Sequence, residues 1–404
     1  MVNPLFLICF IFVASMQLSE GAAAGAYGPT ERYGSAMVYD ETNNRVILFG
    51  GSEWDEDTFY DDTWTYDYKS NIWEKLETPA PPPARFNPGV AYVEDQQAII
   101  IFGGYKTPDR HLNDMWLFDV MTDTWTELKP LNSPHARGNM GMAYDSENKV
   151  LILFGGSSNS EYPYSDTWVY SFESNSWTEM HPAVSPRPQY GVGMMYDSLN
   201  KRILLLEGHW VIREQSGRVS DGYGGGLYTY DYSNDTWKRI ECQAPSGRYW
   251  YSTAYDSDHG RMIIFGGIRW FSGYGNLYDE TWIYDSIENT WTRSSYKGPE
   301  KRYISPMVYD QANNVTVLFG GADVIGEAPG GGDLRKYYQD TWVLNETFQW
   351  NKMASPMAAP SPTSDAEQEG TPSNIPAYPV LSTIIGLVAA FAYLVKKGDR
   401  DNLR

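Results

Sequence analysis

The residues best suited to chemistry in this chain stand close together near its middle. Arg187, Glu207 and His209 supply a guanidinium, a carboxylate and an imidazole, and Trp210 follows directly. An arginine flanked by indole faces suits an anionic sugar or a carboxylate-bearing peptide, because its forked N–H groups match a carboxylate and the indole face attracts cations. Glu207 with Arg187 and His209 could also move a proton. Trp54, Trp250 and Trp270 join Trp210 outside any regular spacing, and Arg248 stands two residues before Trp250. With Tyr60, Tyr223, Phe271 and Tyr274 they form an amphipathic aromatic set of the kind that binds sugars and peptides at little cost in side-chain entropy. The candidate ligand-binding residues are therefore Arg187, Glu207, His209, Trp210, Trp250, Trp270, Trp54 and Arg248.

Metal chemistry finds no such grouping. The five histidines are scattered singly, and the acidic run Asp55-Glu56-Asp57 with Asp61-Asp62 lacks the glycine-bearing spacing of a calcium loop. No metal or other cofactor is expected, and no catalytic residue is assigned.

The elements that must position these residues come from a block of about fifty residues written six times. Gly pairs close an aliphatic run at Gly50-Gly51, Gly103-Gly104, Gly155-Gly156, Gly266-Gly267 and Gly320-Gly321, with Glu207-Gly208 in the fourth slot. One tryptophan column holds Trp64, Trp116, Trp168, Trp282 and Trp342; a second, about nine residues on, holds Trp73, Trp125, Trp177, Trp237, Trp291 and Trp350. A period this long without a helical pattern implies a unit that buries its faces only against its copies. Within block one, Ser35 to Asp40, Val46 to Gly51, Thr63 to Asp67 and Trp73 to Leu76 read as four short antiparallel strands joined by turns. The second of them, Arg45-Val46-Ile47-Leu48-Phe49, is apolar throughout, as a strand covered on both faces must be.

These residues resemble the Kelch repeat, with its initial Arg, its Gly-Gly after the second strand, its Tyr-Asp ending the third and its Trp opening the fourth. The resemblance extends over roughly residues 30 to 353 and places the chain with the galactose oxidase central-domain-like superfamily. It implies an all-β fold, a six-bladed Kelch β-propeller with four antiparallel strands per blade, expected at 25–353. Strand direction then puts the loops after the second and fourth strands on one face, among them the long segments Ser52 to Asp62, His209 to Gly226, Ile268 to Asp279 and Ala322 to Asp340. Function is expected on that face.

The same register gives an arginine to each block, at Arg32, Arg85, Arg137, Arg187, Arg248 and Arg302. An acid opens the third strand at Asp62, Asp114, Asp166 and Asp340, while block five reads Asp279-Glu280-Thr281-Trp282, one residue longer. A pair within each block would staple first strand to third. Block four has Gly226-Leu227-Tyr228 there, so Arg187 is left without its partner unless Glu207 or Asp221 replaces it. Such irregularity marks block four as the first functional candidate.

Two enzymatic readings follow from the resemblance. Galactose oxidase uses a copper site with a cysteine bonded to a tyrosine, but Cys242 falls on the outermost strand of block four and no histidine pair accompanies it. Sugar mutarotases on a six-bladed Kelch fold need little more than a carboxylate and an arginine, which Glu207 and Arg187 could supply.

Outside the repeats, Leu5 to Val13 and Ala22-Ala23-Ala24 read as a signal peptide over 1–24. A Pro-, Ser- and acid-rich stalk follows the repeats over 354–377, then an uncharged span over 378–395 of the length of one transmembrane helix, then a cytoplasmic tail over 396–404 opened by Lys396 and Lys397. A formal charge of −20 excludes nucleic acid as a partner. Asn234, Asn314 and Asn345 open Asn-x-Ser/Thr sequons. The expected protein is a non-enzymatic, single-pass plasma-membrane protein whose extracellular module recognises a glycan, peptide or surface protein, with a surface-anchored sugar-processing enzyme as the alternative.

Overall fold

The computed structural model describes residues 28–53, 58–107, 109–158, 162–214, 216–271, 274–327 and 333–354. All of them belong to one compact unit, Met1–Ala358. Six four-stranded antiparallel sheets follow one another along the chain, each a simple meander. The first module is built from Ala36–Asp40, Arg45–Phe49, Thr63–Asp67 and Ile72–Leu76; the sixth from Met307–Asp310, Val315–Phe319, Thr341–Leu344 and Trp350–Lys352.

The apolar second strand explains how modules join. Val46 and Leu48 face a cluster containing Val315, Val317 and Phe319 of the sixth module, whereas Ile47 and Phe49 face Ile99, Ile101 and Phe118 of the second. Each sheet therefore buries both faces, which a continuous apolar run permits and an alternating one would not. The second tryptophan column fills the same seams. Trp73, Trp125, Trp237 and Trp350 each donate their indole N–H to a threonine hydroxyl of the preceding module, with Trp73 of the first module reaching Thr341 of the sixth. Where the second module has Met115 in the threonine place, Trp177 Nε1 finds no partner among the described residues.

A second linkage runs through the backbone. Six residues with positive φ, one per module, are joined head to tail: Gly34 N–H to Ile304, Asn87 to Gly34, Asn139 to Asn87, Gly191 to Asn139, Trp250 to Gly191 and Ile304 to Trp250, at 2.7 to 3.2 Å. The Gly-Gly pairs serve it from the side. Gly50 and Gly51 both have positive φ, and a Cβ on Gly50 would stand 2.7 Å from the Arg85 carbonyl of the next module, so only glycine fits.

The expected fold class is corrected by this topology. Among the described residues the sheets number ten rather than six, of two to four strands each, and none is closed into a barrel or propeller by strand pairing. The four additional sheets lie where long loops were expected. Ser52–Glu53 pairs with Thr58–Phe59, His209–Arg213 with Val219–Tyr223, Ile268–Phe271 with Tyr274–Leu277, and Ala322–Glu327 with Asp333–Tyr337. In the second module the equivalent hairpin is a continuation of the sheet, with strands Ala98–Thr107 and Arg110–Asp119. Backbone pairing satisfies N–H and C=O groups that an irregular loop would leave to water. No helix among the described residues is long and apolar enough to cross a membrane. The expected leader at 1–24, the stalk beyond Ala354, the apolar span at 378–395 and the tail at 396–404 lie outside the described residues.

Candidate functional site

The arginine column builds the floor on which the hairpins stand. Arg32, Arg85, Arg137 and Arg302 are buried, and each gives two side-chain bonds to one carboxylate: Asp62, Asp114, Asp166 and Asp340 respectively, at 2.6 to 3.3 Å. A further bond runs from each guanidinium to the carbonyl of the first glycine in the pair. The tryptophan two residues after the acid donates to the same carboxylate. Burial works to raise the Asp114 and Asp340 carboxyls, but the bonds and charge of Arg85 and Arg302 carry both below the usual range. The fifth module does the same with Glu280, which pairs with Arg248 at 2.9 Å and accepts from Trp282. Glu280, not Asp279, therefore fills the acid position, and Arg248 is buried beneath the ring of Tyr278 with its charge already matched.

The fourth module departs further than the sequence register indicated. Gly191 holds its place in the positive-φ column, so the residue two before it, Gln189, occupies the arginine position rather than Arg187. The Gln189 carbonyl accepts from Gly156 N–H as that of Arg85 accepts from Gly51. Gln189 is fully buried; its Oε1 accepts from Gly208 N–H at 3.0 Å and its Nε2 has no partner among the described residues. Glu207 is buried beside it and accepts from Gly226 N–H at 2.8 Å. The two-residue offset leaves Arg187 exposed, with its guanidinium 4.5 Å over the ring of Trp210. Neither Glu207 nor Asp221 takes it as a partner: Asp221 sits 3.3 Å from His209 Nε2.

His209 is the hub of an aromatic stack. Its Nδ1 lies 2.8 Å from the Tyr190 hydroxyl, its ring stacks on Tyr223 at 4.8 Å, and Tyr249 tilts against it at 5.4 Å. Burial lowers its pKa, opposed by the Asp221 carboxylate. Trp250 and Trp270 join the same cluster as half-buried members. Trp250 stacks on Tyr303 and donates to Asn139 Oδ1 at 3.0 Å, which ties the fifth module to the third. Of the expected residues, Arg187, His209, Trp210, Trp250 and Trp270 thus gather on one face, Glu207 and Arg248 are held beneath it, and Trp54 lies outside the described residues.

A cavity of about 430 Å³ opens on this face. Its aromatic lining is Tyr33, Phe86, Tyr105, Tyr162, Tyr190, Trp250 and Tyr303, and Asn139, Ser157, Ser158 and Arg335 add polar groups. Of the expected residues only Trp250 lines it. Most of the others were missed although their signal is plain: Tyr33, Phe86 and Tyr303 each follow a column arginine directly, as Tyr249 does outside the lining, and Tyr190 follows Gln189. The segment they stand on pairs with the hairpin of its own module, as Tyr33 does with Ser52, Phe86 with Tyr105, Tyr190 with His209 and Tyr303 with Ala322. That pairing aims the aromatic column inward. Among the described residues no group of three or more His, Cys, Asp or Glu could hold a metal ion.

Comparison with known proteins gives the lineage. Mei4-dependent protein 6 of Schizosaccharomyces pombe is 22% identical over 322 residues, covering 73% of this chain and 45% of that protein. The F-box/kelch-repeat protein At1g51550 of Arabidopsis thaliana is 24% identical over 333 residues, covering 69% of this chain and 64% of that protein. The matched part is thus less than two thirds of either relative. Residues 7–208 and 212–368 match the KLHDC2/KLHL20/DRC7 Kelch-repeats domain. With that match and the repeated Arg, Gly-Gly and Trp positions in place, the chain belongs to the Kelch-repeat domain family.

Proposed function

We propose that this chain is a protein-interaction module that takes a segment of a partner protein into the aromatic cavity of its hairpin face. The observation that carries the reading is the 430 Å³ cavity, whose walls are large rings backed by buried, matched charges and hairpin backbone. Rigid aromatic walls lose little entropy on binding, and Asn139 and Ser157 can orient a peptide group. Arg187, exposed on the ring of Trp210 and outside the cavity lining, is a solvent-facing cation suited to a carboxylate of the incoming segment. Kelch-repeat domains often mediate protein–protein interactions, in keeping with this reading. A sugar-processing role draws no support from the geometry, because Glu207 does not line the cavity and Arg187 is not its partner.

A peptide display library selected on the full chain, followed by calorimetric titration of the recovered peptide, tests the proposal. Trp250→Ala should weaken binding by about 1 to 2 kcal/mol and Arg187→Ala by roughly 1 kcal/mol, as central interface residues do. Unchanged affinity in both variants removes the face from consideration. Binding on a parallel glycan array with no peptide recovered replaces the partner class with a carbohydrate. Display outside the cell is a separate proposal, resting on the apolar stretch at 378–395 and the lysines after it; protease added to intact cells should remove the module.

A further inference from the structure

At the end of the first strands away from the hairpins, a second cavity of about 510 Å³ is walled by one tyrosine from each module: Tyr39, Tyr92, Tyr144, Tyr196, Tyr255 and Tyr309. Their hydroxyls are tied down. Tyr92 meets Thr42 Oγ1 at 2.8 Å, Tyr144 donates to Asp95 at 2.8 Å, Tyr255 to Asp197 at 2.7 Å and Tyr309 to Asp258 at 2.9 Å, each partner standing on the preceding module. Tyr39 closes the series by accepting from Ala312 N–H of the sixth module at 3.3 Å. The aromatic wall is thus held in place before anything enters it, which lowers the cost of binding.

The cavity has a polar rim and an apolar floor. The residue that follows each first strand stands at the rim: Glu41, Glu94, Ser146, Ser198, Ser257 and Gln311, all at least partly solvent-accessible. Val38, Val90, Met142, Met194, Thr253 and Met307 form the floor, since they also line a smaller cavity of about 260 Å³ nearer the hairpins. Val38, Met142, Met194 and Met307 are buried. No lysine, arginine or histidine lines the larger cavity, and its charged lining groups are Glu41 and Glu94. Among the described residues neither has a cation within ion-pair distance, whereas the next acids along, Asp95 and Glu147, are matched by Lys149 and Lys201. Although open to solvent, Glu41 is crowded enough that desolvation raises its carboxyl, with Glu94, Asp258 and Asp40 adding like charge. A cation at the rim relieves that repulsion.

The order of rim and floor selects the kind of cation. A lysine side chain reaching in from a partner would arrive ammonium first, setting its charge on the apolar floor and its stem against two carboxylates. A free amine can enter tail first. We propose that this cavity binds a small primary alkylammonium, with its N–H groups on Glu41 and Glu94 and its aliphatic chain over the valine and methionine floor. The site stands apart from the hairpin-face cavity, so either reading can fail alone.

Calorimetric titration of the full chain with hexylammonium tests the assignment. Each methylene removed from the amine should weaken binding by about fourfold, as the loss of a buried methylene does, and this series needs no variant to fold. Hexanoate, with the charge reversed, should not bind. Glu41→Gln with Glu94→Gln should weaken hexylammonium binding by roughly tenfold or more, the worth of one charge-assisted hydrogen bond, while the thermal melt stays put because both positions are exposed. Glu179→Gln, at an exposed place on an outer strand, should change nothing. Absence of binding by hexylammonium, equal affinity in the double variant, affinity independent of chain length, or tighter binding of spermidine or a lysine-rich peptide overturns the proposal.

Discussion

In the third module Arg137 makes two bonds to Asp166 and a third to the Gly155 carbonyl, whereas the fourth module has Gln189, Gly226 and Glu207 at the same three places. The cation has become a neutral amide, the acid of the third strand has become glycine, and a carboxylate has appeared in the Gly-Gly corner. The hydrogen bonding is rebuilt around that carboxylate, with Glu207 accepting from Gly226 N–H and Gln189 from Gly208 N–H. Two unlike polar sets thus hold the same four strands. The fold at this corner tolerates either set, even though Gln189 Nε2 has no partner among the described residues. What the substitution releases is a guanidinium, Arg187, now outside the scaffold and lying on Trp210.

The comparison breaks first at its strongest bonds. Arg137→Ala should cost about 3 to 5 kcal/mol, because it strands the Asp166 carboxylate in a largely buried place, whereas Gln189→Ala should cost only about 1 to 2 kcal/mol, the loss of one neutral bond. Urea denaturation of both variants measures the gap, and equal losses would mean that the two modules are held alike. Trp125→Ala should match Arg137→Ala at about 3 to 5 kcal/mol, since it empties the seam between the first and second modules. Thr63→Val, which keeps that indole but removes its acceptor, should cost about 1 kcal/mol in the same assay.

Charge adds a dependence on pH. The folded pKa of Asp340 lies below its ordinary value, so its stabilisation is complete above the unfolded carboxyl pKa of about 3.9 and is lost as pH falls through the lower folded value. Asp340→Asn should therefore be less stable than the parent at neutral pH and draw level with it in acid. A constant difference between the two from pH 7 to pH 2 would assign the loss to packing instead.

The repeat made much of this readable beforehand. Gly-Gly pairs, two tryptophan columns and an apolar second strand each reflect a packing requirement that recurs in every module, and a requirement repeated six times leaves a regular trace. The hairpins of the face left none, because the segments Ser52 to Asp62 and Ala322 to Asp340 differ in length and residue type and owe their pairing to the strand edge beside them. Arg187 shows the other limit. A sequence register counts residues, and the two-residue offset in block four is visible only from Gly191, whose positive φ fixes the column. The aromatic column after the arginine position was legible, since it recurs in five of the six blocks.

The smallest effect is the sharpest divider between scaffold and face. Arg187 is exposed, has no carboxylate within ion-pair distance among the described residues, and lays its guanidinium over the ring of Trp210. Arg187→Ala should shift stability by no more than about 0.5 kcal/mol, the usual range for surface positions. If Arg187 were a member of the arginine column, the loss would approach that of Arg137→Ala, because a buried partner would be left unpaired. Thermal melts of the two alanine variants side by side decide between these outcomes. A loss above about 2 kcal/mol at Arg187 would return that residue to the scaffold and demand a hidden partner; a near-silent substitution fixes Gln189 as the column residue and leaves the guanidinium free for a ligand.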